Sequence, residues 1–333
     1  MTTVQKTQMQ AVVRDRYGSV ESVELRDVPR PQVAADEVLV RVVAAGVDRG
    51  VVHVMTGLPY PIRLAGYGVR APKNLVLGSD VAGVVDQVGA AVTRFRPGDE
   101  VFGIAQGSFA QYASANETKL APKPAGLTFE QAAALPVSGL TALQAVRDRA
   151  QVRPGARVLV IGASGGVGGY VVQLAKAFGG EVTGVCSAAK TDLVRSLGAD
   201  HVLDYRVDDF ADGQQQYDVV LDVGGNSSLT RLRRALTGTG TLVIVGGETD
   251  GRWLGGTDRQ LRALVLSLFV GQKLGTFIAS ENHEDLLALS ELVEAGKVRP
   301  ALDRTFPLAE AAAAIRQLQD GQVRGKIVLT TRP

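Results

Sequence analysis

The segment Arg157–Gly168, RVLVIGASGGVG, limits the possible folds of this chain more than any other stretch of it. Its apolar residues Val158–Ile161 are typical of a parallel strand that is buried on both faces. An apolar helical pattern follows the glycines, from Tyr170 to Phe178. A strand, a glycine turn and a helix in this order predict a dinucleotide site, because the backbone can approach a pyrophosphate closely and the helix N-terminus attracts it. The residues predicted to bind it are Ala163, Ser164, Gly165, Gly166 and Val167.

The strand that follows indicates which dinucleotide is bound. A site for NAD usually has Asp or Glu about 20 residues after the glycines, where the carboxylate binds the ribose 2′-hydroxyl. No acidic residue occurs between Glu181, where this strand begins, and Asp192. The end of the strand offers the hydroxyl of Ser187 and the ammonium of Lys190 instead. Because these groups attract a 2′-phosphate and a carboxylate would repel it, the sequence predicts NADPH as the cofactor.

The composition excludes several classes of protein. At 333 residues, of which 45% are hydrophobic, the chain can bury a large core and is long enough for two domains. Its 36 basic and 34 acidic residues are scattered, which argues against nucleic acid as a partner. Cys186 is the single cysteine, so the sequence excludes an intramolecular disulfide and a cysteine-rich zinc site. The N-terminal segment MTTVQKTQMQ has no apolar core of a signal peptide, and no apolar run is long enough to cross a membrane. We therefore expect a cytoplasmic protein with no membrane partner.

Two kinds of pattern divide the chain. The first third has short strands between Gly and Pro turns, which predicts an antiparallel, barrel-like domain. Within it, residues 58–74 are too irregular for a helix and predict a long surface loop that shapes a pocket. Beyond Thr128, which forms a capping-box pattern with Gln131, strands and helices alternate and predict a doubly wound parallel sheet. The pairs Gly224–Gly225 and Gly246–Gly247 follow strands of that sheet, where such sheets bind ligands. The expected domains are residues 1–126 with 281–333, and residues 127–280.

Six motifs, read in order, are similar to those of one enzyme family. They are AAGVD (44–48), GSDVAGVVDQVG (78–89), RPGDEVFG (96–103), ALPVSGLTALQA (134–145), VIGASGGVG (160–168) and SLGAD (196–200). Through them the chain resembles the medium-chain dehydrogenase/reductase superfamily, and within it the zinc-free quinone oxidoreductase (zeta-crystallin-like) branch. The resemblance implies an α/β fold with a doubly wound Rossmann domain that binds NADP(H), and a β-rich, GroES-like barrel as the catalytic domain. It also implies a homodimer, and Trp253 and residues 264–277 are expected to line the cleft or to form the dimer contact.

The zinc ligands of related alcohol dehydrogenases have no counterparts here. Those relatives carry a cysteine, a His-Glu pair and a distal cysteine or acid, whereas the matching positions hold Asp48, Ser79 with Asp80, and Val137. A catalytic zinc needs three protein ligands with nitrogen, sulfur or carboxylate oxygen donors, and serine and valine are not such ligands. We therefore expect no zinc.

The resemblance also implies roles for individual residues. Asp48 matches a position near the nicotinamide ribose that is Asn in quinone oxidoreductases, so its aspartate departs from the pattern. His53 is the expected proton donor, since a histidine titrates near neutral pH, and Asp48 and Tyr60 are the other expected catalytic residues. Tyr60 and Tyr67 are weaker candidates, either as donors or as stacking residues. Residues expected to contact the cofactor by position are Asp48, Thr141, Tyr205, Val223, Gly246, Gly247 and Lys326.

Without a metal to polarise an alcohol, a substrate that is already electrophilic suits such a site. We therefore expect hydride transfer from NADPH to a quinone or an α,β-unsaturated aldehyde or ketone. One alternative is an NADP-dependent alcohol or carbonyl dehydrogenase on the same fold, and another is a catalytically silent protein that only binds the cofactor. A short-chain dehydrogenase is disfavoured, because no Tyr-x-x-x-Lys sequence follows the glycine motif.

Overall fold

A computed structural model describes residues 7–246, 251 and 253–331, and their contacts divide the chain into two compact units. The first unit comprises Met1–Val137, Glu281–Glu294 and Leu302–Pro333, and the second comprises Ser138–Ser280 and Ala295–Ala301. The strands of the described residues are β1 Gln8–Val13, β2 Glu24–Pro29, β3 Glu37–Val47, β4 Asp80–Val88, β5 Glu100–Ile104, β6 Tyr112–Asn116, β7 Leu120–Pro122, β8 Arg157–Ile161, β9 Glu181–Cys186, β10 His201–Asp204, β11 Tyr217–Asp222, β12 Leu236–Ile244, β13 Lys273–Thr276, β14 Leu302–Pro307 and β15 Lys326–Thr330. The helices are α1 Arg49–Thr56, α2 Phe129–Ala133, α3 Pro136–Gln144, α4 Gly166–Ala177, α5 Thr191–Ser196, α6 Leu229–Ala235, α7 Thr257–Ser267, α8 His283–Glu294 and α9 Ala311–Gln319.

The first unit is built on a largely antiparallel sheet with the order β14-β15-β3-β4-β5-β7, in which β6 also pairs with β3. The long strand β3 lies at its centre and pairs with β4, β6 and β15. Its sequence EVLVRVVAAGV is apolar almost throughout because both of its faces are buried. Buried side chains of β3, β4, β5 and β15 form the core together with those of α1 and α9. This β-rich architecture confirms the predicted fold class.

The loop over residues 58–74 is anchored to the segment that follows β1. The hydroxyl of Tyr17 donates hydrogen bonds to the backbone oxygens of Tyr67 and Gly68, at 2.8 and 2.6 Å. The Arg63 guanidinium stacks over the Tyr17 ring, and its Nε donates to the Gly57 carbonyl at 2.9 Å. Residues 63–67 form one wide helical turn inside this segment, which the sequence predicted to be loop throughout.

The second unit contains a six-stranded parallel sheet with the order β10-β9-β8-β11-β12-β13. The chain runs outward from β8 to β9 and β10 on one side, and from β11 to β13 on the other. The order therefore reverses between β8 and β11, which is where doubly wound sheets bind ligands. Gln173 exchanges two hydrogen bonds with the backbone of Arg299, which ties residues 295–301 to this unit.

The division between the units differs from the predicted boundaries. The first unit extends to Val137 rather than to residue 126, because α2 packs on β3, β4 and β5. The Thr128–Gln131 capping box is present and starts that helix as predicted. The helix that the sequence placed from Leu140 to about Ala150 begins earlier, at Pro136, and ends in a wide turn over Ala145–Arg149.

One face of the second unit exposes apolar side chains. Helix α7 and the turn after it leave Leu268 and Phe269 about four-fifths exposed, at 80% and 78%, and among the described residues β13 is an edge strand of the sheet. An exposed apolar face beside an unpaired strand edge is typical of a surface that contacts another protein. The predicted homodimer stays a prediction, and Trp253, which is 76% exposed, belongs to the same unit.

Candidate functional site

The glycine turn between β8 and α4 is held by backbone hydrogen bonds. The N–H groups of Gly162 and Ala163 both donate to the Val185 carbonyl, at 3.1 and 3.0 Å, and Gly165 N donates to the Gly162 carbonyl at 3.1 Å. Gly162 adopts a φ of +83°, which a side chain would disfavour. Gly165 then forms the N-cap of α4 without a side-chain hydrogen bond. The first turn of this helix therefore presents N–H groups and a positive dipole end to a ligand, as a dinucleotide pyrophosphate requires.

Gly168 allows α4 to approach this turn closely. A Cβ atom at this position would lie 2.0 Å from the Gly162 carbonyl oxygen and 3.0 Å from the Ala163 Cα. Both are backbone atoms, so no side-chain movement relieves the clash. The predicted residues Ala163–Val167 thus occupy one rigid turn at the carboxyl edge of the sheet.

A buried ion pair holds the two neighbouring loops of this edge. Arg259 on α7 donates to Asp222 Oδ2 at 2.6 Å, and also to the carbonyls of Ser227 and Gly246, at 2.7 and 3.0 Å. Asp222 is fully buried, and burial raises its pKa while the Arg259 cation opposes that rise. The pair positions the loops that contain Val223 and Gly246, both half-buried and both predicted to contact the cofactor. Gly247 lies outside the described residues.

The sequence did not point to Arg259 as part of the site. The two partners are 37 positions apart, and an arginine on a helix that follows a glycine-rich segment has no local signature. The one signal was Asp222, a charged residue at the end of an apolar strand, which needs a partner if it is buried.

The edge formed by β9 and β10 brings the predicted phosphate-binding residues close together. Ser187 and Lys190 begin and end the short turn after β9, and both are half-buried. Tyr205, just after β10, donates its backbone N–H to the Cys186 carbonyl at 3.2 Å, which sets it beside Ser187. The Arg206 guanidinium lies 5.7 Å from the Tyr205 ring centre. Arg206 is an exposed cation at this edge. It was not among the predicted residues, although it directly follows Tyr205 in the sequence.

The remaining predicted residues belong to different units. Thr141 is half-buried on α3 in the second unit. Asp48, His53, Tyr60 and Lys326 belong to the first unit. The structure therefore brings the other described residues predicted to bind the nucleotide to the carboxyl edge of one sheet, whereas Thr141 lies on α3 and Asp48 and Lys326 lie in the first unit.

Helix α1 positions both Asp48 and His53. Asp48 is its N-cap residue, and the carboxylate accepts a hydrogen bond from Val51 N at 3.3 Å. His53 is half-buried one turn later, with Nδ1 2.9 Å from the Leu58 carbonyl oxygen. Because a carbonyl only accepts hydrogen bonds, Nδ1 carries the proton in this contact. The other ring nitrogen, Nε2, takes no part in this contact.

The two tyrosines of the loop lie in the first unit as well. Arg63 stacks over the half-buried Tyr60 ring at 4.9 Å. Burial, together with the carboxylates of Glu281 and Asp48, raises the pKa of the Tyr67 phenol. Tyr67 therefore stays protonated at neutral pH and can donate a hydrogen bond, and its side chain is partly exposed.

Lys326 is buried against a carboxylate. Its Nζ lies 3.1 Å from Asp80 Oδ2, and both residues are almost inaccessible to solvent. Asp80 Oδ1 also accepts a hydrogen bond from Val137 N at 2.8 Å. Burial raises the pKa of Asp80 to about 7, although the Lys326 cation opposes the shift. The contact of Lys326 with a cofactor stays a prediction.

The donor set does not fit a catalytic zinc. No group of three or more His, Cys, Asp or Glu side chains that could hold a metal ion occurs within residues 7–246, 251 and 253–331. Asp48 and Asp80 are the two acids at positions that match zinc ligands of related alcohol dehydrogenases. Asp80 is already engaged by Lys326 and Val137, and Asp48 caps α1.

No helix within residues 7–246, 251 and 253–331 is both long and apolar enough to span a bilayer.

Comparisons with known proteins identify relatives over 98% of the chain. Residues 34–125 match the family model of the alcohol dehydrogenase GroES-like domain, and residues 197–329 match the zinc-binding dehydrogenase model. The mitochondrial NAD(P)H oxidoreductase RTN4IP1 of Mus musculus is 34% identical, with 98% of this chain and 90% of that protein covered. The 2-methylene-furan-3-one reductase of Solanum lycopersicum is 32% identical over 98% of this chain and 80% of that protein. The solved quinone oxidoreductase of Coxiella burnetii superposes with a TM-score of 0.86 at 30% identity, covering 98% of this chain and 100% of that one.

Proposed function

Because the chain belongs to the medium-chain dehydrogenase/reductase superfamily, in its quinone oxidoreductase branch, we propose that this NAD(P)H-dependent oxidoreductase uses NADPH to reduce quinones or α,β-unsaturated carbonyl compounds without zinc. The observation that supports NADPH most directly is the edge formed by β9 and β10. It offers a hydroxyl at Ser187 and cations at Lys190 and Arg206, and no carboxylate occurs at residues 187–190. These groups suit a 2′-phosphate, which adds negative charge to the ribose.

Two parts of the second unit would hold different parts of the cofactor. The turn before α4 and the first N–H groups of that helix would bind the pyrophosphate. The loops held by Arg259 would flank the nicotinamide. When bound, the reduced nicotinamide supplies a hydride. The protein's contribution is then to fix the geometry of this ligand and to exclude water.

His53 is the residue that we propose supplies the proton. Its Nδ1–H bond to the Leu58 carbonyl fixes the ring, so Nε2 holds the proton that leaves. The same contact remains after the transfer, because Nδ1 keeps its hydrogen in the neutral ring. No metal ligand is needed for such a step, since the conjugated substrate is already electrophilic.

The activity itself is tested with a substrate panel. We expect NADPH absorbance at fixed enzyme concentration to fall with a quinone and with an enone, but not with a saturated ketone. Oxidation with the saturated ketone alone would favour the carbonyl dehydrogenase. No oxidation with any of the three substrates would favour a protein that only binds the cofactor.

Replacing Lys190 by alanine is expected to weaken NADPH binding by roughly tenfold to hundredfold, because a hydrogen bond to a charged group is lost. NADH has no 2′-phosphate, so its binding should change by less than about threefold. The dissociation constants of both nucleotides are measured by calorimetry on the same preparations. Lys297→Ala removes an exposed lysine from the same unit and serves as the matched control. An equal loss for NADPH and NADH would refute the phosphate assignment.

Replacing His53 by glutamine is expected to lower turnover by about a hundredfold with NADPH affinity nearly unchanged, since general acid catalysis typically contributes that much. Steady-state rates with an enone and the NADPH dissociation constant are measured together. His201→Gln is the control, because His201 is exposed and pairs with Glu181 in the second unit. A His53→Gln enzyme with the wild-type rate would show that His53 does not supply the proton and has only a structural role.

A further inference from the structure

The first unit contains a cavity of about 760 Å³ that is separate from the nucleotide-binding turn. It is lined by the end of β1, by α1, by the wide turn of the 58–74 loop, and by the segments before β4 and after β5. Its apolar walls include Val51, Val54 and Ile104. All of its lining residues belong to the first unit.

Arg14 lines this cavity and is the most deeply buried charged residue that does so. It is 1% exposed, yet its Nε and Nη1 have no hydrogen-bond partner among residues 7–246, 251 and 253–331. The Tyr17 ring lies 5.9 Å from the guanidinium, at the outer limit of a cation–π contact. Burial lowers the pKa of Arg14, as expected for a cation that is removed from water without compensation.

Two other buried cations among the described residues each have a carboxylate partner. Lys326 is paired with Asp80, and Arg259 with Asp222. A buried charge is costly unless it is paired, so an unpaired one beside a cavity indicates that its partner is a ligand.

The charges around the cavity favour an anionic ligand. Three cations line it, Arg14, Lys73 and Lys119, against two carboxylates. Both carboxylates are already engaged: Glu281 pairs with Lys119 at 2.6 Å, and Glu37 accepts from Ala34 N at 3.2 Å. Neither carboxylate is therefore the partner of Arg14.

We propose that this cavity binds a small organic anion whose carboxylate or phosphate group pairs with Arg14 and whose apolar body lies against Val51, Val54 and Ile104. The guanidinium presents donors of fixed geometry that match such oxyanions. The site is assigned independently of the redox activity, so it is tested without nucleotide or substrate.

The test titrates the full-length protein with benzoate and, separately, with inorganic phosphate at constant ionic strength. Wild-type protein is expected to bind at least one probe with a dissociation constant in the millimolar range or below. Arg14→Met should weaken that binding tenfold or more, and Arg14→Lys should retain part of it. Arg304→Met, which removes an exposed arginine of the same unit, should bind like wild type. Preference for benzoate or for phosphate identifies the anion class.

Thermal unfolding in the absence of both probes separates a ligand-binding arginine from a structural one. Removing an unpaired buried charge in favour of an apolar side chain should raise the melting temperature by about 2 °C or more. A lower melting temperature for Arg14→Met would show that Arg14 stabilises the fold by itself and would overturn the proposal. Wild-type protein that binds neither probe, or an Arg14→Met variant that binds as tightly as wild type, would also overturn it.

Discussion

Replacing Gly168 by alanine is expected to reduce NADPH affinity by a hundredfold or more and to lower the free energy of unfolding by about 1–3 kcal/mol. The added Cβ would lie 2.0 Å from the Gly162 carbonyl oxygen, and only a shift of the backbone can relieve that contact. Such a shift moves the N-terminus of α4 away from the turn that would hold the pyrophosphate. Alanine gains about 1 kcal/mol over glycine in a helix, which is too little to offset this clash.

Gly169→Ala is the matched control for this variant. The Cβ at the next position would lie 3.1 Å from Leu197 Cδ1, the end of a side chain that can rotate. Both variants gain the same helix propensity. A difference between them in NADPH affinity or in free energy of unfolding therefore measures the effect of the close contact between α4 and the glycine turn. NADPH titration and chemical denaturation are measured on both. Wild-type affinity in Gly168→Ala would show that the helix does not need this close approach.

Replacing Lys326 by methionine is expected to lower the free energy of unfolding by about 3–5 kcal/mol at pH 8, because Asp80 loses its cation and must either stay charged without a partner or bind a proton at a pH far above its usual pKa. The loss of stability relative to wild type should become smaller as the pH falls. Burial raises the pKa of Asp80 to about 7 even beside Lys326, and removal of the cation raises it further. An acid with a raised folded-state pKa contributes stability below its unfolded pKa and loses it as the pH rises through the folded one.

The double variant Asp80→Asn with Lys326→Met removes the charge that causes this penalty. It should be more stable than Lys326→Met at pH 8, and the part of the pH dependence between pH 5 and pH 8 that Asp80 causes should be absent from it. Urea denaturation across this pH range tests both variants. A Lys326→Met variant that is equally destabilised at pH 5 and pH 8 would show that packing of the lysine stem, rather than the charge of Asp80, dominates.

The features that the sequence predicted correctly are local ones. The strand, the glycine turn and α4 are contiguous, so their spacing alone indicates the turn that the structure contains. The capping box at Thr128 is a four-residue signal and starts α2 at the predicted residue. Where α2 packs depends on distant strands, which is why the boundary at residue 126 differs from the observed one at Val137.

The features that could not be predicted depend on side chains that are far apart in the sequence and meet only in the folded protein. Arg259 and Asp222 are 37 positions apart, and Lys326 and Asp80 are 246 apart. Arg14 follows β1 and resembles a solvated arginine in the sequence, because nothing local indicates that its side chain is buried. Such contacts follow from the fold, and a single sequence contains no periodicity that reveals them.

The proposed reaction transfers hydride to a conjugated substrate without the help of a metal. Enzyme treated with a chelator is incubated with cinnamaldehyde and NADPH deuterated at the transferable position, and the product is identified by mass spectrometry and NMR. We expect full activity and a saturated aldehyde with deuterium on the carbon β to the carbonyl. Deuterium on the carbonyl carbon of an allylic alcohol, or activity that returns only when zinc is added, would contradict it.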